Sequence, residues 1–173
     1  MPTHLIIYGY NLLGLTGRLS DRLESAREDL LRALAAYRHR TRHPVTVVFD
    51  GWQQGQPTEQ REHRAGVEVI YSKRGEKADQ VIQRLVRVYG SDCAVVSSDH
   101  EIVNVARSHH AFVMGAQEFA ERLSRPVSSA GALPYKELDM GDDVRPGRGV
   151  EKKGNPKKLP KSQRRRQNQL KRF

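Results

Sequence analysis

His4-Leu5-Ile6-Ile7-Tyr8-Gly9-Tyr10-Asn11-Leu12-Leu13-Gly14 decides how the rest of the chain is read. A short apolar run breaks off at a glycine and an asparagine, the mark of a buried strand that stops and hands the chain to a loop. In an open α/β sheet, ligands gather in the crevice beyond the carboxyl ends of the strands. Two later apolar runs, Val45–Phe49 and Cys93–Val96, end on Asp50 and on Ser97-Ser98-Asp99. These three strand ends are expected to meet.

Working outward, residues 9–19 read as a glycine-punctuated loop, and Ser20 as the N-cap of a helix with Asp21 and Glu24 in its first turn. Leu23, Ala26, Leu30, Leu34 and Tyr37 recur at helical spacing, and Pro44 ends that helix behind a cluster of arginines. Val45–Phe49 has almost no polar face, as in a sheet covered on both sides. Residues 52–66 are polar and without period, and read as a long surface loop. Val67–Tyr71 is the next strand, near an edge because Glu68 interrupts it. A helix is predicted over residues 75–89 with Asp79 in its first turns, and a capping box at Ser98-Asp99-His100-Glu101 opens another. Residues 111–113 give a short last strand, and Ala116–Leu123 a closing helix. The alternation predicts an α/β fold with a mostly parallel central sheet between helix layers.

Charge divides the chain unevenly. Of the formal +10, residues 1–124 contribute 16 Lys/Arg against 15 Asp/Glu, and residues 125–173 contribute 14 against 5. The expected organisation is a balanced domain over 1–124, a linker over 125–151, and a basic arm over 152–173 that is unordered or ordered by a partner. A basic arm on a neutral domain suits a polyanion, RNA first of all. Lys152, Lys153, Lys157, Lys158, Lys161, Arg164, Arg165, Arg166, Lys171 and Arg172 are its candidate phosphate contacts. A single cysteine, Cys93, excludes an internal disulfide framework, and no disulfide-linked partner is expected. No apolar run approaches the ~18 residues of a membrane span, and the first residues lack the layout of a secretion signal. A cytoplasmic protein with no membrane partner is expected.

Asp50, Asp79 and Asp99 are the carboxylates that this topology would gather at one rim of the sheet, beside Asn11. Hard oxygen donors suit Mg2+ or Mn2+ rather than zinc. Each aspartate also has a bland reading: Asp79 and Asp99 favour helix starts, and Asp50 before Gly51 is an ordinary turn residue. Trp52 could stack on a base or cover the core edge. His39 and His43 have the spacing of a metal pair, but the Arg-rich helix end favours a charge role. No phosphate-cradling glycine motif is present.

Tyr8-Gly9-Tyr10-Asn11, Ala26-Arg27, Val47-Val48-Phe49-Asp50, Lys77-Ala78-Asp79 and Ser97-Ser98-Asp99, in that order, resemble the NYN domain of the YacP type. The resemblance covers about residues 4–124. It implies a PIN-like three-layer fold with a central first strand, an acidic metal site, and cleavage of RNA, with a branch of the family tied to ribosomes and mRNA. On that resemblance Asn11, Asp50, Asp79 and Asp99 are the catalytic positions, the aspartates are the ligands of Mg2+ or Mn2+, and Arg27 is a motif arginine placed with the RNA contacts. One position departs: the pattern has an aspartate where this chain has Tyr8, a neutral phenol and a poor Mg2+ ligand. Two functions follow. One is a divalent-metal-dependent endoribonuclease acting on mRNA or ribosome-associated RNA and weakened or inactivated by Tyr8. The other is a non-catalytic RNA- or ribosome-binding protein on the same fold.

Overall fold

The computed structural model describes residues 3–15, 23–51, 56–124, 160–171 and 173. Contacts divide the chain into residues 1–127 and residues 128–173. The first unit runs β1 (His4–Tyr8), α1 (Gly9–Leu15), α2 (Leu23–Thr41), β2 (Val45–Phe49), β3 (Gln60–Arg64), β4 (Val67–Tyr71), α3 (Ala78–Tyr89), β5 (Cys93–Val96), α4 (His100–Ser108), β6 (Phe112–Met114) and α5 (Ala116–Leu123). Its six-stranded sheet has the order β3-β4-β2-β1-β5-β6, parallel throughout except where β3 meets β4.

Alternation along the strands builds two cores. Ile6, Val48 and Ile70 face Ala78, Val81, Ile82 and Leu85 of α3 and Ile102 and Ala106 of α4. On the other face α1, α2 and α5 pack together, with the Tyr37 and Phe119 rings edge to face at 5.1 Å. Every residue of β2 is buried, as expected of a strand between two helix layers. The mostly parallel sheet, the helices on it and the near-edge place of β4 agree with the sequence reading.

Three local readings need correction. Residues 9–15 are helical, not a loop: β1 passes straight into α1. This needs Gly9, because a Cβ there would lie 2.2 Å from the buried Phe49 ring. The polar stretch 52–66 is not all loop, since Gln60–Arg64 forms β3. Ala65 and Gly66 both have positive φ, 49° and 83°, the two-residue hairpin turn that folds β3 onto β4. A strand reading Gln-Arg-Glu-His-Arg carries no apolar alternation to announce it. It holds its edge through Arg61 paired with Glu68 at 3.3 Å and Arg64 paired with Glu28. The N-cap of α4 is Asp99 and not Ser98, with Asp99 accepting from the Glu101 amide at 2.8 Å. In the basic arm, expected to be unordered or ordered by a partner, Lys161–Leu170 is a helix, α6, formed from the good helix formers Lys, Arg, Gln and Leu and exposed until Leu170. Ser20 and Asp21 lie outside the described residues.

Candidate functional site

Parallel pairing puts the site together. β2, β1 and β5 lie side by side and point the same way, with Tyr8 opposite Val48 and Ile7 opposite Val96. Their carboxyl ends therefore share one rim, and the residues that follow are Asp50 after β2, Gly9 to Asn11 after β1, and Ser97 to Asp99 after β5. β4 is parallel to β2 and leads into α3, which brings the first turn of α3, with Asp79, to the same rim.

Hydrogen bonds then fix each loop. Ser72, fully buried, donates to the Glu76 carbonyl at 2.7 Å and accepts from the Gly51 amide at 3.0 Å, tying the end of β2 to the start of α3. In that arrangement Asp50 Oδ1 accepts from the Ala78 amide at 2.6 Å, and Asp50 Oδ2 accepts from the Tyr8 hydroxyl at 2.8 Å. Across the rim, Asn11 Oδ1 accepts from the Ser98 amide at 2.7 Å and from the Ser97 hydroxyl at 3.1 Å. Ser97 Oγ in turn accepts from the Asp99 amide at 3.0 Å. Asn11 thus holds the loop that carries Asp99.

Tyr8, Asp50, Asp79 and Asp99 line one open cleft of about 850 Å³, and all four are half-buried. Burial, the bond to Asp50 and the negative charge of Asp50, Asp79 and Asp99 together push the Tyr8 phenol well above its ordinary range. All three carboxylates therefore act on the same hydroxyl. Tyr8 stands among them where the resemblance calls for a fourth acid. Among the described residues no group of three or more His, Cys, Asp or Glu is placed to hold a metal ion directly.

The cleft has a second end, which is aromatic and cationic. Arg27 from α2 donates to the Tyr10 hydroxyl, and its guanidinium carbon lies 5.5 Å from the Tyr10 and Phe49 ring centroids. Tyr71, stacked on Phe49 at 5.7 Å, lines this end, as does Glu24 one turn before Arg27, while Lys77 lines the cleft beside Ala78 and Asp79. Tyr10, Tyr71, Ser72 and Lys77 were not among the residues expected at the site. Tyr71 was within reach of the strand-end rule that picked out Asp50, but Ser72 gave no sequence signal because its role is to cross-link two loops. Lys161, Arg164, Arg165, Arg166 and Lys171 are exposed on or just after α6, in the second unit. Trp52, Lys152, Lys153, Lys157, Lys158 and Arg172 lie outside the described residues. His43 is buried and accepts from the Thr3 amide at 3.0 Å, so it does not pair with His39 around a metal.

The sequence profile of the YacP-like NYN domain matches residues 5–170. This chain belongs to the YacP-like NYN family. The NYN domains are part of the PIN-like nuclease superfamily, which generally uses divalent metals. An uncharacterised protein YacP of Bacillus subtilis (strain 168) is 38% identical over 88 residues, 48% of this chain and 51% of that protein. The match thus spans about half the length of that curated relative. Crystal structures of Rae1 (YacP) from Bacillus subtilis superpose with a TM-score of 0.57, one of a mutant form at 29% identity over 71% of this chain and 75% of that one. The second, at 27% identity, covers 69% of this chain and 72% of that one with the same TM-score of 0.57. No helix among the described residues is long and apolar enough to cross a membrane.

Proposed function

We propose that this NYN protein is a divalent-metal-dependent endoribonuclease using Mg2+ or Mn2+, acting on mRNA or ribosome-associated RNA in the cytoplasm, and slowed by Tyr8. One observation carries the reading: three carboxylates from separate chain segments, Asp50, Asp79 and Asp99, line one cleft together with Tyr8. The donor chemistry fits a hard cation held by few carboxylates and much water. Asp79 carries no hydrogen bond to its carboxylate among the described residues, and Asp99 uses only Oδ1 for its helix. Asp79 and Asp99 would hold the ion, with Asp50, whose two oxygens are taken by the Ala78 amide and the Tyr8 hydroxyl, adding negative charge to the cleft. When bound, such an ion supplies an activated water and stabilises charge on the leaving oxygen.

The remaining work falls to the chain itself. Asp50 is locked by the Ala78 amide and the Tyr8 hydroxyl, so it orients rather than moves. Asn11 keeps the Asp99 loop in register. Arg27 and Lys77 offset the negative rim and favour the approach of a phosphodiester. The basic arm adds affinity without sequence choice.

The bond from Tyr8 to Asp50, and the lack of a direct ligand cluster among the described residues, favour a second reading: RNA or ribosome binding without cleavage. Incubating the full chain with single-stranded RNA and Mn2+ separates the two. The first reading expects slow cleavage that chelation abolishes, cleavage at least about tenfold faster in Tyr8→Asp, and none in Asp99→Asn. Binding without cleavage in the parent, with cleavage gained in Tyr8→Asp, establishes the second. Cleavage that survives Asp99→Asn places the chemistry elsewhere and overturns the site.

A further inference from the structure

Arg27 is a cation without an anion. Its guanidinium carbon stands 5.5 Å from the centroids of Tyr10 and Phe49 and 5.9 Å from that of Tyr71. Its hydrogen bond goes to the Tyr10 hydroxyl, a neutral acceptor. Among the described residues no ion pair joins Arg27 to a carboxylate, and its buried Nε has no hydrogen-bond partner. Three other arginines around this sheet edge are paired with carboxylates: Arg61 with Glu59 and Glu68, Arg64 with Glu28 and Glu62, Arg84 with Glu59 and Glu76. Ring faces stabilise a guanidinium but accept few of its hydrogen bonds. A partly desolvated charge with no carboxylate paired to it is stabilised when an anionic ligand meets its guanidinium.

The ligand chemistry follows from the surroundings. Arg27 opens onto the same cleft as Asp50, Asp79 and Asp99, so a small anion is drawn to one end and repelled by the other. A chain of phosphates joined through sugars satisfies both ends. One phosphate can sit on the guanidinium fork while its neighbour reaches the acidic rim. Tyr10 and Tyr71 line this end, and Gln60 opposite Tyr71, whose amide nitrogen is already bonded to Thr58, has its carbonyl oxygen to offer a base edge. We propose that Arg27, Tyr10 and Tyr71 form a nucleotide subsite, with Arg27 gripping a backbone phosphate next to the one at the acidic rim and the tyrosine rings receiving its base. This rests on the reading that the cleft takes RNA.

The test uses the full chain under chelation, so that no cleavage intervenes. Fluorescence anisotropy would follow a labelled uridine octamer and an abasic ribose-phosphate octamer, with thermal melting as a fold check. The parent is expected to prefer the uridine octamer by about tenfold or more, through stacking. Tyr71→Leu should erase most of that preference, weakening the uridine octamer by far more than the abasic one. Arg27→Met should weaken both probes alike and reduce the salt slope by about one phosphate contact, roughly 0.7 for a single strand, which Arg27→Lys restores. A folded Arg27→Met with the parent's affinity and slope overturns the subsite, as does a Tyr71→Leu that keeps the preference for bases. Should Arg27→Met not fold, a parent indifferent to the presence of bases overturns it equally. If the parent binds neither probe, the RNA reading itself has failed; if it binds both and the variants change nothing, only the subsite has.

Discussion

Tyr8 donates its phenol hydrogen to Asp50, and three carboxylates keep that hydrogen in place. The group therefore stays a hydrogen-bond donor above the pH at which an ordinary tyrosine ionises. In Tyr8→Phe the ring remains but Asp50 Oδ2 loses its donor, and about 1 kcal/mol of stability should go with it near neutral pH. The sign of the pH dependence is fixed by the direction of the shift. An unfolded tyrosine releases its proton near 10.0, while the folded one holds it higher, so the unfolded chain binds fewer protons as pH rises past that point. Stability contributed below pH about 10 is lost above it, and Tyr8→Phe should fall less steeply there. Melting curves of both proteins from pH 7 to 11 check this; parallel curves would separate Tyr8 from Asp50. The aspartates were legible because a strand end or helix start can be seen locally. The Tyr8 to Asp50 bond was not, since it depends on the register of β1 against β2.

At the scale of elements, the parallel strands announced themselves through unbroken apolar runs, and the two elements that were misread lack that signal. β3 is an edge strand whose stability comes from backbone pairing with β4 and from arginine–glutamate pairs, neither of which leaves an apolar period. α1 was hidden by its first residue, because glycine normally signals a turn and here signals a close approach. The same approach makes Gly9 the hinge of the site: it lets α1 begin against Phe49, which stacks on Tyr71 and sits under Arg27. In Gly9→Ala the new methyl meets a fully buried ring, and overpacking of this kind costs about 1–3 kcal/mol. Urea unfolding should show a lower midpoint with an unchanged slope. A midpoint equal to that of the parent would mean that Phe49 has room to move, and that α1 does not need glycine.

Over the whole molecule, charge separates two jobs that the sequence already kept apart. Residues 1–124 are nearly neutral in sum yet polarised within the cleft, acidic at one end and cationic at the other. Residues 125–173 carry almost all of the excess positive charge, and α6 presents Arg164, Arg165 and Arg166 in consecutive positions, all exposed. Three consecutive residues span most of a helical turn, so they cannot all face one flat surface, but they can meet phosphates of a nucleic acid that curves around the helix. If the arm supplies affinity and the cleft supplies choice, the two respond differently to salt. Replacing all three arginines with glutamine should remove about three phosphate contacts, making the slope of log affinity against log salt shallower by roughly 2 for single-stranded RNA. Between 50 and 200 mM salt the parent, using about six arm charges, should lose roughly 300-fold in affinity, and the variant only roughly twentyfold. The preference for uridine over abasic octamers should be the same in both proteins, because it originates in the cleft. Anisotropy titrations at four salt concentrations decide the matter: a variant that keeps the parent's slope would take the arm out of RNA contact, and one that loses base preference would tie α6 to the choice made at Tyr71.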